Sequence, residues 1–88
     1  MCTLKTFHDQ VQNAARVRIT APGVAGDVVS AELSEQRDRL TVSYESVEGV
    51  GHIELEPNDL AGARVGPKML LPDVDDVDYL FTFSKVAA

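Results

Sequence analysis

Residues 39–56 read RLTVSYESVEGVGHIELE, and this stretch decides the fold. Apolar and polar residues alternate on both sides of its centre, which is the pattern of strands with one buried and one solvated face. A two-residue turn at 48–49 would join the two halves as a hairpin. With that centre Val42 faces Leu55, so apolar side chains meet on one face. The stretch therefore predicts an antiparallel hairpin that packs against a core.

The segment before the hairpin, DVVSAELS at 27–34, alternates in the same way. If 35–38 form a four-residue loop, Leu33 faces Leu40, and the same register predicts the pairs Ala31 with Val42 and Val29 with Tyr44. Both turns then place the same residues of the middle strand inside. This agreement between two independent turns predicts a three-stranded meander.

The remaining segments extend the sheet. AARVRITA at 14–21 alternates as a further strand, and Pro57 ends the hairpin because proline cannot donate to a central ladder. The other expectations are a loop at 21–27 (APGVAGD), a short helical or 3₁₀ turn at 57–62 (PNDLAG), a short apolar element at 68–71 (KMLL), an acidic loop at 73–78 (DVDDVD) and a last strand at 79–86 (YLFTFSKV) with Tyr79, Phe81 and Phe83 on its core face.

The first fourteen residues admit two interpretations. Phe7, Val11 and Ala14 have helical spacing with Thr6 or Asp9 as caps, whereas CTLKTF at 2–7 suits an edge strand. The predicted fold class is all-β, a small antiparallel sheet or partly open barrel of about five strands with one short 3₁₀ or helical turn. Its plan resembles that of small SH3-like barrels. The alternative is an α+β fold with an N-terminal helix on an antiparallel sheet.

Length and composition predict one globular domain over residues 1–88, since 44% of the 88 residues are apolar and 25% are charged. No apolar run approaches the roughly 20 residues of a membrane span, and the start has no secretory signal. Cys2, the only cysteine, excludes an internal disulfide and is expected to be inert. These features favour a cytoplasmic protein without membrane contact.

The net charge of −6 is concentrated in the second half of the chain. Residues 1–43 balance five acids with five bases, whereas residues 44–88 set nine acids against Arg64, Lys68 and Lys85. Nucleic-acid binding needs a basic footprint, so direct binding is not expected. The acidity suits a basic partner protein, and its competing interpretation is solubility alone.

Three carboxylates surround His52 on the solvated face of the predicted hairpin. Glu45 lies opposite it, and Glu54 and Glu56 follow at alternate positions. Zinc takes three or four protein ligands and prefers imidazole nitrogen, but the chain has only one other histidine, His8. The pattern therefore predicts a solvated polar face, or a pH-responsive surface, rather than a metal site. The 73–78 loop lacks the ligand spacing of an EF-hand.

No enzyme motif is present, since the chain contains no G-x-S-x-G, G-x-G-x-x-G or P-loop sequence. We therefore expect neither catalysis nor a cofactor. Val47, Val50 and Val28 fall on the solvated face, where they either support the turn or form an apolar contact patch with a charged rim.

The sequence thus predicts a small acidic protein-binding module, such as an adaptor, subunit or inhibitor, that docks a basic protein surface and could imitate nucleic-acid charge. The predicted contact residues are Glu45, Val47, Val50, His52, Glu54 and Glu56. The alternative is a homo-oligomeric small-molecule-binding protein with a pocket between subunits, lined by residues 68–71 and 79–83.

Overall fold

The computed structural model describes residues 3–84. Cys2 and the predicted end of the last strand at 85–86 therefore lie outside the described residues. In chain order the elements are α1 (Leu4–Asn13), β1 (Arg16–Ala21), β2 (Val24–Leu33), β3 (Leu40–Ser46), β4 (Gly49–Leu55), α2 (Pro57–Leu60), β5 (Lys68–Val74) and β6 (Val77–Ser84).

The strands form one antiparallel sheet in the order β4-β3-β2-β1-β6-β5, and the sheet curls into a half-barrel. The predicted fold class is confirmed: a mostly β protein built on a small antiparallel sheet, with a short N-terminal helix. The sheet has six strands, whereas about five were predicted. The additional strand is β5, which the sequence analysis treated only as a short apolar element because Pro67 and Pro72 flank it.

The N-terminal segment is the helix α1, which packs on the inner face of the half-barrel. The Thr3 side chain caps it by accepting a hydrogen bond from the Thr6 backbone N–H at 3.1 Å, so the predicted caps Thr6 and Asp9 were wrong. The ring of Phe7 is fully buried and meets Phe81 edge to face, with centroids 5.0 Å apart. The helix thus contributes Phe7 to the core, where the ring packs against the inner face of the sheet.

The core lies between α1 and the inner face of the sheet, and all its buried residues are apolar. They are Leu4, Phe7, Val17, Ile19, Ala31, Leu40, Val42, Ile53, Leu55, Leu60, Met69, Leu71, Val74, Phe81 and Phe83. The predicted inward positions of the first and last strands are therefore confirmed at Val17, Ile19, Phe81 and Phe83, and Tyr79 packs against the same core.

The pairing of β2 with β3 was predicted correctly only near the 34–39 loop. Leu33 pairs with Leu40 and Ala31 with Val42, as expected. A β-bulge between Val28 and Ser30 then shifts the register, and Tyr44 pairs with Val28 instead of Val29. Because the bulge inserts one residue, Val28 turns to the core and Val29 is exposed, the reverse of the prediction.

The hairpin of β3 and β4 turns one position earlier than predicted, at Val47-Glu48. Val42 therefore pairs with Ile53 instead of Leu55, and Glu45 pairs with Val50 instead of His52. The predicted partners were wrong, yet the predicted faces were correct. A strand alternates with a period of two, so moving every partner by two residues leaves each side chain on its original face.

Of three predicted connections, two are shorter in the structure than predicted. Pro57 occupies the first turn of α2, as predicted for a proline that ends a strand and begins a helical turn. The predicted acidic loop at 73–78 is reduced to a two-residue turn at Asp75-Asp76, both with positive φ (50° and 65°), because β5 extends to Val74 and β6 begins at Val77. The predicted loop at 21–27 is likewise short, because β2 begins at Val24, directly after the Pro22-Gly23 turn.

Candidate functional site

The solvated side of the half-barrel, opposite α1, carries five of the six predicted contact residues on one hairpin. We call this surface the hairpin face and define it by the strand residues Glu45, Val50, His52 and Glu54 together with Val47 at the tip. All five are exposed. The sixth predicted residue, Glu56, lies beyond the end of β4 and is the N-cap residue of α2, where its backbone N–H donates to Asp59 Oδ2 at 2.7 Å.

The two valines of the hairpin face are fully available to a partner. Val47 projects from the tip with 104% relative exposure, and Val50 is 62% exposed beside Glu45. Val47 therefore buries no apolar area in the fold, and Val50 buries only part of its own. The predicted third member of this cluster, Val28, is absent from it because the bulge turns that residue to the core.

Glu45 is the least compensated charge on this surface. It lies directly opposite Asp27 of β2, and like charges at opposite positions of two strands repel. Asp27 is neutralised by a bidentate contact with Arg16, at 3.0 and 3.1 Å, and by Arg18 at 3.7 Å. Within residues 3–84 no cation lies within 4.0 Å of the Glu45 carboxylate. An incoming cation would therefore find the Glu45 carboxylate without an ion pair in the described part of the chain.

The arginine contacts fix the charge of Asp27. Its hydrogen bonds to the Arg16 guanidinium are the largest cause that lowers the pKa of this carboxyl below the ordinary value of 3.8. A carboxyl whose folded-state pKa is depressed stabilises the fold above its unfolded-state pKa. That contribution is lost as the pH falls through the lower, folded-state value.

We expect an Arg16→Gln variant to raise the Asp27 titration midpoint towards 3.8, because the largest stabilising contact of the carboxylate is removed. Side-chain carboxyl ¹³C chemical shifts, followed from pH 2 to pH 6, measure this midpoint. The Glu54 carboxyl, which contacts Arg39 and not Arg16, serves as the internal control. An unchanged Asp27 midpoint would show that the Arg16 contact does not persist in solution.

His52 and Glu54 each have a neighbour that the sequence analysis did not assign. His52 Nδ1 lies 2.8 Å from the hydroxyl of Ser43, its cross-strand partner. Glu54 Oε2 lies 3.9 Å from Arg39 Nη1, an exposed and long ion pair of small energetic value. His52 is thus held by a hydroxyl and not by the carboxylate of Glu45 that the predicted register placed opposite it.

A metal site does not form at His52 in the part of the chain that the structure describes. No group of three or more histidine, cysteine, aspartate or glutamate side chains there is close enough to hold an ion. The second histidine, His8, lies on α1, so the sheet separates the two imidazoles. Its Nδ1 is 3.4 Å from Asp9 Oδ1, a contact within the helix.

Two concave regions accompany these surfaces. A cleft of about 440 Å³ separates the β1–β2 turn from the hairpin tip, and Val24, Tyr44, Val47 and Glu48 contribute to its walls. A groove of about 620 Å³ lies on the other side of the molecule, between the end of α1 and the chain before β5. There Gln10 Nε2 donates to the Gly66 carbonyl at 2.7 Å, while Gln10 Oε1 is buried without a hydrogen-bond partner within residues 3–84.

Sequence reasoning missed Asp27, Arg16 and Ser43 as parts of this surface. Asp27 was missed because the segment 21–27 was assigned to a loop, although it belongs to the β1–β2 hairpin. Ser43 was missed because the predicted turn was displaced by one residue. The Pro-Gly pair at 22–23 is a turn signal that could have located Asp27 opposite the arginines.

No helix in the described range is both long enough and apolar enough to cross a membrane. No protein-family model matches the chain, and no significant match to it was found among curated proteins or solved structures.

Proposed function

We propose that this chain is a small acidic protein-binding module that docks a basic protein surface through the hairpin face. The observation that carries the proposal is Glu45, an exposed carboxylate opposite Asp27 with no cation of its own. A lysine or arginine of a partner would meet Glu45 without displacing an existing ion pair. Binding would thus gain the attraction between the partner's cation and Glu45, whereas Asp27 is already paired with Arg16 and Arg18.

The distribution of charge on the solvated side supports an oriented contact. On the β3–β4 hairpin Glu45 and Glu48 have no ion pair within residues 3–84, and Glu54 has only the long contact with Arg39. Glu32 of the neighbouring strand β2 is likewise exposed and without an ion pair in the described range, whereas the cations Arg16 and Arg18 lie on β1. Val47 and Val50 lie among these acids and supply apolar area within a charged rim, the arrangement found at protein interfaces. A basic partner with one or two apolar side chains would fit this half of the surface and not the β1 half.

We place this activity in the cytoplasm, and such a module would serve as an adaptor, a subunit or an inhibitor. A more specific form of the proposal is that the hairpin face imitates nucleic-acid charge and occupies a basic cleft of its partner. Salt distinguishes this form, because a mainly electrostatic contact weakens steeply as ionic strength rises. Affinity that stays constant from low to high salt would contradict the imitation of nucleic acid.

We expect a Glu45→Lys variant to lose its partner, because the substitution places a cation where the partner's cation must bind. The test is affinity capture from lysate of the source organism, with retained proteins identified by mass spectrometry. Glu35→Lys is the matched control, since it changes the net charge equally at an exposed site in the 34–39 loop, at the other end of β3. A basic protein retained by wild type and Glu35→Lys but lost by Glu45→Lys supports the proposal. Equal retention by all three proteins contradicts it.

A second candidate function is small-molecule binding, and the groove beside α1 favours it. The groove has the volume of a ligand site, about 620 Å³, and Pro67 and Phe83 line it. These residues adjoin the walls that the sequence analysis assigned to a pocket between subunits. The groove, however, is formed within a single chain. Screening of small molecules by thermal shift tests this candidate, since a ligand of the native state raises the melting temperature.

A further inference from the structure

The half-barrel leaves two edge strands, and they differ in how they resist pairing with another chain. On β5, Pro72 has no N–H, an irregularity with positive φ at Asp73 (61°) interrupts the ladder, and Lys68 adds a charge. Proline, bulges and lysine are the features that prevent strand addition at sheet edges. The β5 edge is therefore closed to a further strand.

The β4 edge has no proline, lysine or bulge, and apart from His52 its only ionisable side chain is the acid Glu54. Its sequence, GVGHIEL, contains no proline, lysine or arginine, and its seven residues pair with β3 without a bulge. No other described strand lies beside it. Ser46 and Gly49 flank the two-residue Val47-Glu48 turn. Residues that flank such a turn form a hydrogen-bonded pair, and hydrogen-bonded pairs alternate with non-hydrogen-bonded pairs along an antiparallel ladder. Gly49, Gly51 and Ile53 consequently bond β3, whereas the backbone N–H and C=O groups of Val50, His52 and Glu54 point to the open edge.

We propose that β4 is the docking strand: an extended basic segment of another protein adds to its edge and continues the six-stranded sheet. This inference rests on the proposed function and specifies its mode of contact. The same three residues that present free backbone groups, Val50, His52 and Glu54, also carry their side chains on the hairpin face. An added strand would therefore receive backbone hydrogen bonds from β4 and place its outward side chains beside the acids.

Charge selects a basic segment over a second copy of this chain. Two copies paired through β4 would bring together two acidic hairpins, each in a protein with a net charge of −6. Each hairpin carries Glu45, Glu48 and Glu54, and like charges placed across strands repel. A segment in which lysine alternates with an apolar residue instead places cations beside Glu54, and apolar side chains on the side of Ile53. Glu45 lies one strand further, across Val50.

The test uses a short blocked peptide in which lysine and valine alternate, with binding followed by fluorescence anisotropy. His52→Pro removes the edge-facing N–H and leaves the β3–β4 bonds intact, because proline is tolerated where the N–H of an edge strand faces solvent. His52→Ala is the matched control that keeps the N–H. We expect His52→Pro to bind about tenfold or more weakly than His52→Ala, because both variants lack the imidazole and only proline lacks the N–H. The loss corresponds to one or two backbone hydrogen bonds.

A change in the peptide provides a measurement that does not depend on the folding of a variant. Methylation of alternate backbone nitrogens of the peptide removes its donors to β4 and keeps its charge, so it should weaken binding to the same degree. Each of three outcomes overturns strand addition: no binding of the peptide by wild type, equal affinity for methylated and unmethylated peptide, or a dimer of wild type that His52→Pro converts to monomer. If His52→Pro binds normally and Glu45→Lys does not, strand addition fails while the proposed function stands.

Discussion

A Phe7→Ala variant should unfold at a much lower urea concentration than the wild type, with a loss of about 3–5 kcal/mol in the free energy of unfolding. Phe7 is fully buried and contacts Phe81 and Phe83 edge to face, with centroid distances of 5.0 and 5.8 Å. Removing the ring leaves a cavity between α1 and β6 and takes away the main attachment of the helix. Urea denaturation followed by circular dichroism measures the effect.

Asn13→Ala is the control for this loss, because Asn13 lies on the same helix and is exposed. Exposed substitutions usually change stability by less than about 0.5 kcal/mol. If Phe7→Ala cost no more than this control, α1 would not be part of the core, and the fold described for residues 4–13 would be wrong.

A Gly26→Ala variant should lose about 3 kcal/mol, the upper end of the usual range for overpacking a core. A Cβ at this position would collide with the carbonyl oxygen of Glu45 and lie 3.1 Å from its carbonyl carbon. These are backbone atoms of the neighbouring strand, so no side-chain rotation relieves the clash. The strands β2 and β3 would have to separate, close to the position where Glu45 faces Asp27.

Gly62→Ala is the matched glycine control, because a Cβ there meets no atom within 4 Å and its φ is not in the left-handed region. We expect this variant to keep or slightly raise the melting temperature, since alanine restricts the unfolded chain. Thermal unfolding of the Gly26→Ala and Gly62→Ala variants measures the two melting temperatures. Equal melting temperatures for the two would show that β2 and β3 do not approach as closely as the structure describes.

The alternation in residues 39–56 correctly predicted which face of the sheet each side chain occupies, but it did not predict the cross-strand partners. A period of two fixes which side chains share a face, and a register shift of two residues preserves that property. Val42, Ile53 and Leu55 are buried as predicted, although Val42 pairs with Ile53 and not Leu55. The exact partner depends on the turn, and the Val47-Glu48 turn lacks the Asn-Gly or Asp-Gly signature that would have located it.

Local pattern reasoning missed the bulge at Val29, and it gave the helix α1 only as one of two interpretations of the first fourteen residues. A bulge inserts one residue without changing composition, so the sequence DVVSA is compatible with either Val28 or Val29 facing the core. The helix depends on tertiary packing, because Phe7 finds its partners Phe81 and Phe83 at the far end of the chain. Short helices gain most of their stability from such packing and little from their own sequence.

The sequence predicted which residues form the hairpin face, but not how their neighbours are arranged around them. Five of the six predicted residues lie on one hairpin, because strand alternation alone placed them on the solvated side. Glu45, on which the proposal depends, has no ion pair within residues 3–84 and pairs with Asp27, a residue that two arginines contact. This arrangement could be seen only once the registers of β1, β2 and β3 were known. The arrangement depends on the registers of three strands together. Assigning residues 21–27 to a loop was sufficient to hide it.

The central claim, that a basic partner docks on the hairpin face, is tested most directly by chemical-shift mapping. ¹⁵N-labelled protein is titrated with the alternating lysine–valine peptide, and backbone amide shifts are followed residue by residue. We predict that the largest changes fall on Glu45 and on Val50, His52 and Glu54, and that Gln10 and Phe83 beside the groove do not shift. Shifts confined to the groove, or no shifts at all with a saturating peptide, would contradict the account.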